Sequence, residues 1–353
     1  MASAWVPPGG SADPYPGAVP ANTPTASHHS YASSASSPGS LASSISSATT
    51  SSPQRLLHQL TARVGKPGAA SRRRISRLTR ALLVATFFED GARVLTDLPG
   101  QARFLKHFYA LPMPLGILFL LGIVTLAVAA SLCLVLTGNE RAGGKTSRQD
   151  RWALTMQERA SYVLIVHIFV QQALYGRDAP ATGGNVSFLV RNLCLAGSFL
   201  MVAATARMKK GLAALPQGLL GGISRSGGGG TASTQKVLEY MQLAARIMLV
   251  LLPLDFLSSL GFVGTLLAVP VMLAVLAGYR TKVSGSLLIL FYAVHNLLMS
   301  AFWKVQDHSP LGKYARDVQQ YEFVQTISIM AGVLMLVFEG PGAISVDQQQ
   351  RDL

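Results

Sequence analysis

Charge is what this chain has least of: Asp, Glu, Lys and Arg make up 13% of its 353 residues, roughly half the share found in a soluble globular domain. A water-soluble domain is therefore excluded as the first reading. Cysteine is nearly absent as well. Cys133 and Cys194 both lie inside apolar stretches, where they read as small core residues, and no disulfide or metal set can be built from them. The first 54 residues hold no Lys or Arg, and residues 1–71 hold a single acid, Asp13. A secretory signal needs a basic start ahead of an apolar core, and a transit peptide needs arginine from early on, so neither fits. Rich in Ser, Ala, Pro and Gly, residues 1–71 cannot bury enough apolar surface to offset their ordering entropy, and they read as a disordered cytosolic tail.

What is present is apolar sequence: half of the residues are hydrophobic. Eight stretches follow one another at 78–98, 113–136, 160–175, 188–206, 241–259, 261–279, 284–303 and 322–338. Most are close to the roughly 20 residues that carry a helix across about 30 Å of hydrocarbon. The runs are continuous and do not alternate, which favours helices over a barrel. The expectation is an all-α polytopic membrane protein of about eight transmembrane helices spanning residues 72–348, behind the disordered tail. The third stretch is short and the first carries Glu89, Asp90 and Arg93, so these two read least cleanly.

Orientation follows from the bases. With the N-terminus in the cytosol and eight crossings, 21 Lys/Arg fall on the cytosolic side, counting Arg80 at the start of the first span, and six on the other. That bias satisfies the positive-inside rule, and seven crossings would scramble it. The same distribution accounts for the net charge of +14 through loops facing anionic membrane lipid, with no need for nucleic acid. Both ends, including the tail 349–353, are then expected in the cytosol. The halves 78–206 and 241–338 also echo each other. Phe188–Ala203 lies over Phe323–Phe338 with Ala196/Ala331 and Gly197/Gly332 matched, and His167 superposes on His295. This pattern predicts two four-helix parallel repeats joined by the Gly-rich cytosolic linker 207–240.

Few motifs carry chemistry. Gly144-Lys145-Thr146 resembles the end of a phosphate loop, but the position needing glycine is Asn139 and no strand precedes it. The sequon at Asn185 abuts the next span. No Ser/His/Asp triad or paired-carboxylate site is present, so no enzyme is expected. Ionisable residues within spans are the stronger signal, because burying a charge in hydrocarbon costs several kcal/mol. Glu89, Asp90 and Arg93 share one helical turn, with Glu89 and Arg93 spaced to pair. Arg191 and Arg246 begin later spans. These five residues either form structural locks, with the arginines pairing with the acids, or line a polar cavity that binds a ligand. His167, Asn192, His295 and Asn296 are secondary polar candidates. Two histidines without clustered carboxylates or thiolates make a poor metal site, and neither metal nor cofactor is expected.

Several runs go beyond composition. Arg80–Arg93, which reads R-A-L-L-V-A-T-F-F-E-D-G-A-R, resembles the first-helix signature of the surfeit-locus cargo-receptor family, close to R-L-x-L-x-S-T-F-x-E-D-G-x-R. Phe188–Gly197, Tyr240–Arg246, Phe323–Ser328 and the G-P-G-A-I-S-V-D run Gly340–Asp347 are similar to further stretches of that family. The likeness covers roughly 78–348. It implies a non-catalytic receptor of the endoplasmic reticulum membrane that loads soluble lumenal secretory proteins into COPII vesicles and cycles back from the Golgi by way of COPI. Family cargo signals are short, apolar and often close to the cargo's N-terminus. A lumen-facing pocket offering Glu89 and Asp90, oriented by Arg93, would suit a free amine beside apolar side chains. The chain departs from the family in two places. Gln350 and Arg351 stand where members carry a C-terminal dilysine signal, and the N-terminal extension has no parallel. Oligomeric state is not legible. A small-solute transporter using the same intramembrane charges is the alternative function, and a redox-linked subunit lacks cofactor ligands.

Overall fold

The structure, a computed structural model, describes residues 69–137, 148–176, 185–214, 231–305, 309–342 and 344–352. The tail expected at 1–71 falls almost wholly outside these residues, as do the phosphate-loop-like run at 144–146 and most of the glycines of the linker. The described residues are helical, with no strand among them. In chain order the helices are α1 (Ala69–Leu83), α2 (Ala85–Thr96), α3 (Leu98–Tyr109), α4 (Met113–Leu136), α5 (Arg148–Tyr175), α6 (Asn185–Ala214), α7 (Thr231–Leu249), α8 (Leu252–Ala277), α9 (Thr281–Met299), α10 (Pro310–Glu339) and α11 (Val346–Asp352).

Five stretches are long and apolar enough to cross a bilayer: Met113–Leu136, Val186–Gly211, Gln235–Asp255, Thr281–Lys304 and Ala315–Glu339. Gly264–Ala277 is a shorter apolar helix. The chain is thus an all-helical polytopic membrane protein. The fifth helix, α5, is long but not apolar all round. Gln157, Ser161, His167 and Gln171 recur at helical spacing on its buried face, so its polar stripe is turned inward. The outer faces elsewhere carry large apolar side chains, among them Leu118 and Leu132 on α4 and Leu290 and Leu298 on α9, as a lipid-facing surface requires.

Helices α6 and α10 are the most enclosed of the five apolar spans. α6 packs on α5, α7, α8 and α10, while α10 packs on α9, α1 and α2 as well. A close approach allows this: a Cβ on Gly197 of α6 would lie 3.1 Å from the Ala245 carbonyl oxygen of α7. The core between them gathers Phe87, Leu164, Cys194, Phe199, Leu249, Tyr292 and Ile329.

Three expected spans differ in their boundaries. The first, read as a continuous run over 78–98, is broken at Val84. The fifth and sixth, divided by sequence near residue 260, part instead after Leu249, so that α8 runs unbroken from Leu252 through Pro270. Pro253 explains the second break, because its ring displaces the carbonyl four residues earlier and it has no N–H to donate. That carbonyl, Leu249 O, accepts a hydrogen bond from the buried Tyr292 hydroxyl at 2.9 Å. The first break has no proline. There Ser328 of α10 inserts into the ladder: its Oγ accepts from the Thr86 N–H at 3.3 Å and donates to Leu82 O at 2.9 Å. A side chain inserted into the i→i−4 ladder is a recognised cause of helix kinks, and in lipid each freed backbone group needs such a partner. The breaks also correspond in sequence: Arg80, Leu83, Val84 and Glu89 stand in the same relative places as Arg246, Leu249, Val250 and Asp255.

Removing either hydroxyl leaves buried backbone groups unpaired. Tyr292→Phe and Ser328→Ala are each expected to cost about 1–3 kcal/mol, read as lowered melting temperatures of the detergent-solubilised protein.

Candidate functional site

Alternating helices define two faces. The base-rich face carries the start of α1, the junction of Thr137 with α5, the end of α6 and the α8–α9 turn. The opposite face carries α3, the end of α5 and the start of α10. A polar cavity lies near that opposite face, lined by Asp90, Arg93 and Val94 of α2, Gln101 of α3, Gln171 and Tyr175 of α5, and Tyr321 of α10. It encloses about 10 Å³, the space of one water-sized group.

The spacing of α2 sets its charges. Arg93 reaches back one turn to ion-pair with Glu89, donates to the Asp317 carbonyl oxygen at 3.0 Å, and lies 5.1 Å from the centre of the Tyr321 ring. Its positive charge is thereby matched within the protein. Asp90 is different. Its carboxylate accepts a hydrogen bond from the Gln171 amide, a neutral donor, and shares the cavity with Arg93. Tyr175 donates to Gln101 Oε1 at 3.1 Å. The cavity therefore brings together one carboxylate, the Arg93 side chain, two amide groups and two aromatic rings, a polar setting where four helices meet.

A second cluster lies between α6, α8 and α10. Arg191 Nε donates to Asp255 Oδ2 at 2.7 Å, its Nη2 is 3.6 Å from Glu322 Oε2, and its Nη1 donates to Thr326 Oγ1 at 3.4 Å. Beside it Asn192 donates to Gln172 Oε1 at 2.8 Å and accepts from Gln325 Nε2 at 2.9 Å. This network ties α6 to α5 and α10 as well as to α8.

The sequence candidates are thus sorted into separate places. Glu89, Asp90 and Arg93 stand together. Arg191 pairs with acids, but with Asp255 and Glu322 and not with Glu89 or Asp90. Arg246 joins neither cluster, because α7 places it at the base-rich face, where it donates to Leu276 O at 3.5 Å and to Ile344 O. His167 packs edge-on against Phe87, with ring centres 5.4 Å apart. His295 and Asn296 are buried on α9, with Asn296 donating to Phe323 O at 3.1 Å. No group of three metal-ligating side chains occurs among the described residues. Sequence reasoning passed over Asp255, Glu322, Gln101, Tyr175 and Tyr321. The two acids carried a usable signal, since each is an ionisable residue inside or at the edge of a span. The other three become recognisable only when four helices converge.

These features define a class: a polytopic helical membrane protein with a carboxylate and an arginine in a small polar cavity near one end of its spans. Residues 68–353 match the model of the SURF4 family, and the chain belongs to that family. It is 28% identical over 284 residues to the Surfeit locus protein 4 homolog of Schizosaccharomyces pombe, covering 78% of this chain and 81% of that one. Identity is 27% over 278 residues to the Surfeit locus protein 4 homolog of Drosophila melanogaster, with 78% and 89% covered. It is 25% over 278 residues to the ER-derived vesicles protein ERV29 of Saccharomyces cerevisiae, with 78% and 77% covered. No solved structure matches significantly.

The two clusters are expected to respond differently to substitution. Arg191→Leu strands two carboxylates in the interior and is expected to cost about 3–5 kcal/mol. Asp90→Asn keeps an acceptor for Gln171 and is expected to leave folding near that of the unmodified protein. Thermal unfolding of both variants in the same detergent checks the contrast.

Proposed function

We propose that this protein is a cargo receptor of the early secretory pathway that takes soluble lumenal secretory proteins into COPII vesicles at the endoplasmic reticulum and returns by way of COPI. The observation that carries this reading is the family match over 68–353, which includes among the relatives a protein named for vesicles derived from the endoplasmic reticulum. The architecture has the form such a task needs. Coupling a lumenal ligand to a cytosolic coat requires a protein with a binding feature on one face and coat-accessible segments on the other. In this reading the base-rich face and both termini lie in the cytosol, facing coats and anionic lipid, and the Asp90 cavity lies toward the lumen.

The cargo group that suits the cavity is a free amine flanked by apolar side chains. Asp90 supplies the charge and Tyr175 and Tyr321 the ring walls, while Glu89 engages Arg93 in an ion pair. The transporter alternative needs intramembrane charges left over for a solute. The family match and the relative named for vesicles derived from the endoplasmic reticulum do not favour that reading. The two halves 78–206 and 241–338 are proposed as parallel repeats. In each, neighbouring spans pack in sequence order, and the first span of each half packs on the last span of the other, α1 and α2 on α10 and α7 on α6.

Depletion of the protein followed by comparison of secreted and retained proteins provides the test. A subset of soluble secretory proteins is expected to accumulate in the endoplasmic reticulum while membrane cargo moves normally. Restoring the unmodified chain should clear the accumulation, and restoring Asp90→Asn should leave it, with export of the affected clients reduced about tenfold or more, as loss of a buried ionic partner predicts. Unchanged secretion on depletion would overturn the receptor reading.

A further inference from the structure

The cavity around Asp90 poses a problem of size. At about 10 Å³ it holds one water-sized group, too little for any peptide segment, so a wall must move before a ligand of that class can enter. Four helices supply the walls. Of these, α2, α5 and α10 continue into the main core through Phe87, Leu164 and Ile329. α3 does not. Its buried Ala102 and Leu105 belong to a separate small cluster with Val94, Leu120 and Val124, and its packing is chiefly on α4. It contributes one cavity residue, Gln101.

The ends of α3 are both breaks. Asp97 has φ −123° and ψ 43°, and Ala110 adopts the left-handed conformation at φ 53°, a region non-glycine residues seldom occupy. Extended backbone follows at Pro112. Between these points α3 is fastened to the end of α5 by specific polar and ring contacts. The Tyr109 hydroxyl lies 3.0 Å from Ala173 O and 2.9 Å from Leu174 O, two last-turn carbonyls that have no partner within their own helix. The Tyr175 hydroxyl donates to Gln101, and Phe104 stacks on the Tyr175 ring with centres 5.4 Å apart. Tyr109 is 38% exposed, so water competes for its hydrogen bonds.

We propose that α3 is a hinged lid over the Asp90 cavity, latched to the end of α5 by Tyr109 and by the Gln101–Tyr175 pair, and that it swings on Asp97 and Ala110 to admit ligand. This rests on the reading of that cavity as the binding site. The latch closes on a helix end that needs donors, so the shut state is favoured when no ligand is present. Its bonds are few and partly wet, so opening is a local event that leaves the spanning helices packed.

The test reads access to the cavity without any cargo. In full-length protein with Cys133→Ala and Cys194→Ala, Val94→Cys places one thiol in the cavity wall, and Lys106→Cys on the exposed face of α3 serves as the control. The probe is a membrane-impermeant methanethiosulfonate reagent applied to proteoliposomes from the side bearing α3. With the latch intact, Val94→Cys is expected to react far more slowly than Lys106→Cys. Adding Tyr109→Phe should raise the Val94→Cys rate about two- to tenfold, the effect of one lost hydrogen bond on an opening equilibrium, while the control rate stays fixed. Gln101→Ala should act in the same direction. Equal Val94→Cys rates with and without the latch in variants of unchanged melting temperature would overturn the lid, as would a Val94→Cys rate matching the control in the latched protein. If instead the latch governs labelling and secretion tolerates Asp90→Asn, the lid stands and the assignment of the cavity to cargo falls.

Discussion

A bilayer offers no water to a polar group, so every charge and every interrupted backbone bond in the spans must find its partner inside the protein. The arrangement of α6 and α10 at the centre follows from that requirement. Arg191, on α6, holds Asp255 of α8 and Glu322 of α10. Ser328, on α10, repairs the break between α1 and α2. Gln325, next to Thr326 in sequence, reaches Asn192 on α6. The two enclosed helices thus serve as the internal solvent for the outer ones. Their own surfaces are correspondingly rich in small and hydroxylated residues, Ser198, Thr205, Thr326 and Ser328 among the buried ones.

The same accounting separates structure from function. Each charge cluster contains one arginine and two acids. Around Arg191 both acids face the guanidinium, and the Thr326 hydroxyl accepts from it as well. Around Arg93 only Glu89 does so, while Asp90 turns to an amide and a cavity. Asp90, half-buried, is thus the acid of the two clusters that is held by an amide and makes no ion pair among the described residues. The contrast rests on geometry and not on residue type, since all six side chains belong to the same chemical set.

Much of this was legible in the sequence, and the remainder has definite physical reasons for being hidden. Continuous apolar runs marked the spans, and the sidedness of the bases followed from their spacing. The E-D-G-x-R run pointed to the family that the model over 68–353 establishes. The cluster of Glu89, Asp90 and Arg93 was visible because its members lie within one turn. Arg191 was visible too, but its partners lie 64 and 131 residues away, at Asp255 and Glu322, and nothing local joins them. The break at Val84 has no proline or glycine to announce it, because its cause is a serine 242 residues distant from Thr86. Pro253 did announce the other break, and a reading that gave proline more weight than run length would have placed it correctly. α3 escaped notice because twelve residues of mixed polarity between two spans look like a loop, although Gln101, Ala102 and Leu105 fall on one helical face.

The wide separation between Thr86 and Ser328 also bears on how the molecule is made. A membrane protein is threaded into the bilayer from its N-terminal end, so α1 and α2 arrive before any of the residues that complete them. Until α10 follows, Leu82 O and the Thr86 N–H lack their hydroxyl, and Arg93 lacks the Asp317 carbonyl. The first span to be synthesised is therefore the last to become at home in lipid. While the rest of the chain is translated, the freed backbone groups at the Val84 break carry an unmet cost in lipid.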